Sequence, residues 1–354
     1  MKRLLRAAAL TMALSLVATS GHAEEKKSFK LGYSIYVGFM PFAWLKQSSV
    51  MKKWADKYGI DVDIVLINDY VAGMNQFIAG DLDGYGAASM DALVMPAAGG
   101  VDTSIFLLGD YSNGNDAIVS KSVKSVADLK GQDVHLLQFS VSHYLLNRAL
   151  ALAGMSLGDV KTVNISDTEV AAAYLTQPEV VTAATWKPMV PDMVASVPGS
   201  EIIFDSSKIP GEIMDVFIGK TDVLKDNPAF AKAVTGAWYE ALATMEGPDA
   251  ATTINETMAT GLGTDAAGLA TQVATTHFFK TPAEAVTFMT DAKTKEIWDY
   301  VRKFCFDQGL FGQGADSVDA IGIEMPDATV LGSKDNVKLR FDASFTQMAA
   351  DGKL

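Results

Sequence analysis

The chain has 354 residues, 29 of them basic and 42 acidic, for a formal net charge of −13. That balance excludes nucleic acid and anionic lipid as partners, because both need a basic footprint. The length suffices for two domains with real cores, and Cys305, the single cysteine, excludes an intramolecular disulfide and a cysteine metal cluster.

Residues 1–23 read as a secretory signal peptide. Lys2, Arg3 and Arg6 form a basic start, Ala7–Val17 an apolar run, and Gly21-His22-Ala23 a small-x-small cleavage site. The apolar run is much shorter than the roughly 20 residues that a membrane span needs. The expected product is a soluble protein of the periplasm. Its cleavage leaves 26 basic against 42 acidic residues and three arginines: Arg148, Arg302 and Arg340.

Phe29–Tyr36 alternates as a strand does, and a Val37–Pro41 loop follows. Trp44 to Tyr58 then has helical spacing, with Gly59 as its stop. Val62–Ile67 reads as a second strand. Asn68-Asp69 caps a helix that runs to Ala79. Leu82–Ala87 is a third strand, Ser89-Met90-Asp91 opens another helix, and Thr103–Leu108 is a fourth strand. This β-α-β-α-β-α-β order predicts an open parallel sheet wrapped by helices.

The stretch Phe106–Lys121 places two acids, Asp110 and Asp116, between two apolar runs. It reads as a strand leaving one lobe, a bend, and a strand entering another. The pattern then restarts, with strands at Asp133–Leu137, Val160–Asn164, Val180–Thr185 and Glu201–Phe204. Ser142 caps a helix to Ala153, and Ser166 and Glu169 form a capping box. Ile213–Ile218, after Pro210-Gly211, reads as a return crossing. From Thr221 the chain is predicted mostly helical, including His277–Phe279, and Arg340–Leu354 is a tail docked on the first lobe.

The expected fold is α/β, a two-lobed clamshell in which each lobe is an open, mostly parallel sheet flanked by helices. Residues 24–111 form the first part of lobe 1, 112–212 form lobe 2, and 213–354 complete lobe 1. Ligands of open α/β sheets bind outside the carboxyl ends of the strands, and hinge closure is the motion expected of this shape.

The strings SIYVGFMPF (34–42), NDYV (68–71), SMDALVMPAAGGVDTS (89–104), GDYSNGND (109–116), VSHYLL (141–146) and IPGEIMD (209–215) carry a family likeness. Together with the Asp128–Gly131 and Asn227-Pro228 motifs, they make the chain resemble the nitrate/sulfonate/taurine-type periplasmic binding proteins of ABC importers, a group that also includes thiamine-precursor binders. More narrowly, the strings resemble a subgroup associated with urea and guanidine carboxylase systems. The resemblance implies a solute receptor and not an enzyme. It also implies an inner-membrane permease and its ATPase as partners. No cofactor or metal is expected, and the receptor is expected to be monomeric.

Strand ends and helix starts supply a carboxylate-rich, aromatic pool. The residues expected at the ligand are Tyr36, Trp44, Asp69, Asp91, Asp110, Asn115, Asp116, Ser142, His143, Trp186, Glu212 and Asp215. Phe39, Phe42, Asn113, Gln138, Ser140 and Thr185 belong to the wider pool. No arginine falls on a predicted strand end or helix start, whereas an anion receptor usually wants an arginine fork. A small planar cation such as guanidinium, which presents only donors, suits carboxylates and aromatic faces better. Urea, taurine or another sulfonate, nitrate and an aminopyrimidine thiamine precursor stay open as alternatives. Asp69 and Asp91 also suit plain helix capping, and Trp44 suits core packing. Ser142-His143 with Asp110 suggests a hydrolase, but no Gly-x-Ser-x-Gly elbow or His-Glu-x-x-His motif accompanies them.

Overall fold

Phe29, Leu31 and Tyr33 are buried on β1 (Ser28–Tyr33), and this apolar face seats the strand at the heart of the first sheet. The structure is a computed structural model describing residues 26–354, so the expected signal peptide lies outside the described residues. β2 (Asp61–Leu66) and β3 (Gly84–Ala88) flank β1 in parallel. β4 (Thr103–Ser112) then carries the chain towards the second lobe.

The second sheet holds β5 (Ala117–Ser120), β6 (Asp133–Leu136), β7 (Lys161–Asn164), β8 (Thr182–Thr185) and β9 (Glu201–Asp205), in the order β7-β6-β8-β5-β9. The chain returns through β10 (Met214–Lys220), which lies antiparallel between β3 and β4. β11 (Thr276–Phe278), β12 (Gly322–Glu324), β13 (Val330–Leu331) and β14 (Val337–Phe341) complete the first sheet, whose order is β13-β12-β14-β4-β10-β3-β1-β2 with β11 on the far end of β4. The result is the expected two-lobed α/β architecture. Both sheets are mixed where mostly parallel sheets are expected: the crossing strands β5 and β10 run against their neighbours, and β11–β4 and β12–β13 are antiparallel as well.

The two crossings are tied to each other. Ser112 and Ser206 share a hydrogen bond of 2.6 Å between hydroxyls, and the Gly114 N–H donates to the Ser206 Oγ at 2.7 Å. Gly114 turns with φ +106°, a conformation open to glycine at little cost.

Three local expectations are corrected. The helix predicted over Trp44–Tyr58 is two helices, Pro41–Gln47 and Val50–Lys57, because Ser48 takes extended backbone between them. Serine competes with the helical backbone through its hydroxyl, and Ser48 Oγ accepts from the Val50 N–H at 3.3 Å. His277–Phe279 is not helical. Thr276–Phe278 pairs with β4, and His277 stacks on Tyr111 with ring centroids 4.5 Å apart. The C-terminal region adds β12–β14, and β14 pairs in parallel with β4, so the docking of the tail begins as sheet pairing.

Behind the first sheet, the Pro228–Met245 helix buries Trp238 against Phe42 and Phe217, fixing the strands whose ends build the site.

Candidate functional site

β4 and β10 bring Asp110 and Asp215 directly opposite each other, with Asp215 also opposite Ala88 on β3. The ladder carries a β-bulge between Asp215 and Val216, a device that re-aims side chains near binding sites. Asp91 comes from the short Ser89–Ala92 helix that follows β3, and Asp116 stands one residue before β5. All four carboxylates are buried.

Asp91, Asp116 and Asp215 line one cavity with Tyr36, Phe39, Tyr70 and Trp186. Ser34, Ala88, Leu137, Ser140, Val141 and Ile213 complete its wall. Its volume is about 40 Å³. One water needs roughly 10–15 Å³ on that measure, so the space suits a molecule of a few heavy atoms.

The Tyr36 hydroxyl donates to Asp110 Oδ1 at 2.9 Å, and the Asp110 and Asp215 carboxyls share a hydrogen bond. The Tyr70 hydroxyl donates to Asp91 Oδ2 at 2.9 Å, and Asp91 Oδ1 is without a protein partner. Burial pushes Asp91 up to about 7 and Asp116 up to about 6, with the Tyr70 and Ser112 hydroxyls opposing the shifts. Asp110 and Asp215 are both raised, Asp110 by burial and Asp215 by burial and then by the charge of Asp110. No Lys, Arg or His belongs to the cavity wall. Among the described residues, no group of three or more His, Cys, Asp or Glu side chains could hold a metal ion.

The arginines are engaged elsewhere. Arg148 forms a bidentate pair with Glu212, at 2.6 Å from Nε and 2.8 Å from Nη2. Arg302 pairs with Asp299 and Asp319, and Arg340 with Asp102 and Glu324.

Of the twelve expected site residues, Tyr36, Asp91, Asp116, Trp186 and Asp215 line the cavity. Asp110 stands behind them, bonded to Tyr36. The rest fall outside the lining. Trp44 packs on the apolar core of the first lobe, because its helix turns that face inward. Asp69 is exposed and caps the Tyr70–Ala79 helix, accepting from the Ala72 N–H at 2.8 Å. Asn115 is held within the crossing: its Nδ2 donates to Thr276 Oγ1 at 3.0 Å and its Oδ1 accepts from the Lys187 N–H at 3.1 Å. Ser142 is buried in the first turn of the Val141–Leu152 helix, with its Oγ unbonded. His143 is buried between Phe139 and Phe304, and burial lowers its pKa to about 4. Glu212 is taken by Arg148 and by the Tyr144 hydroxyl, at 2.6 Å from the latter.

Tyr70 and Ser34 were missed by sequence reasoning. Both lie inside strings that carried the family likeness, but neither type marks a ligand when met one residue inside a helix or one residue after a strand.

The NMT1/THI5-like family profile matches residues 48–251, more than half of the chain, and the chain belongs to that family. Curated relatives, among them one from Brucella abortus (strain 2308), are 27% identical over 188 residues, 52% of this chain and 58% of their own. The chain thus spans a little over half the length of the curated relatives it matches. The taurine-binding periplasmic protein of Escherichia coli (strain K12) is 24% identical over 184 residues, 51% of this chain and 56% of its own. In fold, the chain is similar to the alkanesulfonate-binding protein SsuA of Xanthomonas axonopodis pv. citri bound to MOPS, with TM-score 0.68 and 18% identity over 82% of this chain and 96% of that one.

Proposed function

We propose that the protein is the periplasmic receptor of an ABC importer and captures a small planar nitrogen-rich cation, best represented by guanidinium, by hinge closure. The observation that carries this reading is the set Asp91, Asp116 and Asp215 around one small aromatic-lined cavity whose wall holds no Lys, Arg or His. Guanidinium offers N–H donors along three edges and accepts nothing. Each charge-assisted bond contributes roughly 1.5–3 kcal/mol, and an aromatic face adds about 0.5–2 kcal/mol. The monomeric receptor then hands its solute to an inner-membrane permease driven by an ATPase, with residues 112–212 as its second lobe.

The sulfonate and taurine named for the similar proteins are less well supported here. Asp116, pushed up only to about 6, is mostly ionised at neutral pH and repels an anion, and all three described arginines are paired away from the cavity. Urea is a second reading with a specific observation behind it. A carboxyl whose pKa is raised to about 7, as at Asp91, is protonated for much of the time at neutral pH and can donate to a carbonyl oxygen.

A thermal-shift panel tests the proposal, with millimolar guanidinium chloride, methylguanidine, urea, taurine, nitrate and an aminopyrimidine thiamine precursor. A ligand of the native state raises the melting point by mass action. Guanidinium is expected to give the largest rise. A response to taurine or nitrate alone would overturn the cation reading, and sustained ammonia release from guanidine or urea would overturn the receptor reading.

A further inference from the structure

A second cavity adjoins the first. Tyr70, Asp91, Leu137, Phe139 and Ser140 are in its wall, and its volume is about 260 Å³ against about 40 Å³ for the inner cavity. Tyr70, Asp91, Leu137 and Ser140 belong to both walls. Asp91 is 2% exposed, and its Oδ1 has no protein partner. This is a buried carboxylate oxygen without a donor, standing on the boundary between two spaces.

Phe139 stands on the outer wall in unusual form. It is 50% exposed, large and apolar, and holds φ +68°, the left-handed region that side chains other than glycine rarely adopt. Its backbone N–H donates to His143 Nδ1 at 3.3 Å, and the next residue, Ser140, caps the helix beyond. The neighbouring turns thus hold the ring at the outer cavity although the backbone there resists it.

We propose that the outer cavity is a first binding station for the cation, with Asp91 as the carboxylate shared between stations and Phe139 as the aromatic face at its mouth. The inference rests on the cation reading above. A planar, weakly hydrated cation sheds water readily onto apolar and aromatic surface. In the outer station it meets Phe139, Tyr70 and one carboxylate. In the inner station it keeps Asp91 and gains Asp116 and Asp215.

The test is stopped-flow fluorescence of Trp186 against guanidinium chloride, at constant ionic strength and in the low millimolar range. A Trp186→Phe control assigns the signal to that residue. Filling of an outer station before the inner one makes the observed rate saturate with concentration. In Phe139→Ala and Phe139→Gly, the concentration for half-saturation should rise at least fivefold, while the equilibrium affinity changes less than threefold. The glycine variant keeps the left-handed turn free of strain, so a folding defect of the alanine variant leaves the experiment readable. A linear rate dependence in the wild-type protein, or unchanged curves in both variants, would overturn the outer station while leaving guanidinium as the ligand. Absence of any guanidinium response in the wild-type protein would overturn the cation reading itself, and the station with it.

Discussion

Asp110 and Asp215 face each other across the antiparallel β4–β10 ladder, both buried, with the Tyr36 hydroxyl donating to Asp110 at 2.9 Å. Two carboxylates at such a register cannot both ionise cheaply without a cation, so the pair retains a proton well above the usual carboxylate range. With Asp91 and Asp116 on the neighbouring elements, the ligand-free site is a reservoir of protons held by burial.

The ligand-free protein is therefore expected to lose stability as pH rises. Asp91 and Asp116 have pKa values of about 7 and 6 when folded, against 3.8 ordinarily. Groups with raised folded values contribute stability that is fully present below the unfolded pKa, near 4, and is lost as pH rises through the folded values. For Asp91 alone the full effect is roughly 4 kcal/mol. Calorimetric melting from pH 5 to 8.5 should show a falling midpoint, and Asp91→Asn should flatten it. A midpoint that climbs over this range contradicts the burial of these groups in the ligand-free state.

Ligand affinity should move the other way for a cation. Guanidinium needs ionised carboxylates, so its binding should tighten as pH rises from 5.5 to 8, by up to about tenfold per pH unit for each proton released. Titration in buffers of different ionisation enthalpy should register proton release. Urea, accepting from a protonated carboxyl, should instead bind more weakly at higher pH. The sign of the slope thus separates the two solutes, and a flat profile for both would remove the carboxylates from the site.

The parts of the candidate site that were legible in sequence are those whose residue type carries the signal. Acids at strand ends and helix starts, far from any arginine, pointed to Asp91, Asp110, Asp116 and Asp215. Type alone could not separate these from Asp69, because a helix cap and a ligand carboxylate are the same residue at the same kind of position. Glu212 was equally ambiguous until the fold placed Arg148 beside it, 64 residues away in sequence. Tertiary pairing also decided Thr276–Phe278, where an edge position beside β4 overrode the helical context. The two-lobed order itself was readable because runs of strand period alternate with helices that several glycines stop, as Gly80 stops Tyr70–Ala79.

Trp186 and Tyr36 should contribute to affinity by different routes. Trp186→Ala removes an aromatic wall and should cost about 0.5–2 kcal/mol of binding, with the melting point of the free protein little changed. Tyr36→Phe leaves Asp110 Oδ1 without its donor, and the loss should fall largely on stability above neutral pH, where that carboxyl must ionise unaided. Calorimetric titration beside melting curves checks both. Equal affinity for wild type and Trp186→Ala would place the ligand away from that ring.

Arg148→Ala should destabilise the protein without disturbing recognition. The Arg148–Glu212 pair is bidentate, mostly buried and shared with the Tyr144 hydroxyl, and the guanidinium also lies over the Tyr300 ring at 4.5 Å. Removing one partner leaves Glu212 with a single donor in a confined place. The expected loss is about 2–4 kcal/mol, at or below the usual range for a broken buried pair because both groups keep some solvent contact. Arg148→Lys should recover only part of it, since an ammonium cannot supply the two-pronged geometry. Guanidinium affinity, measured by titration well below the melting point, should stay within threefold of wild type. A large loss of affinity with unchanged melting would return Glu212 to the binding site and move the cavity assignment towards the Val141–Leu152 helix.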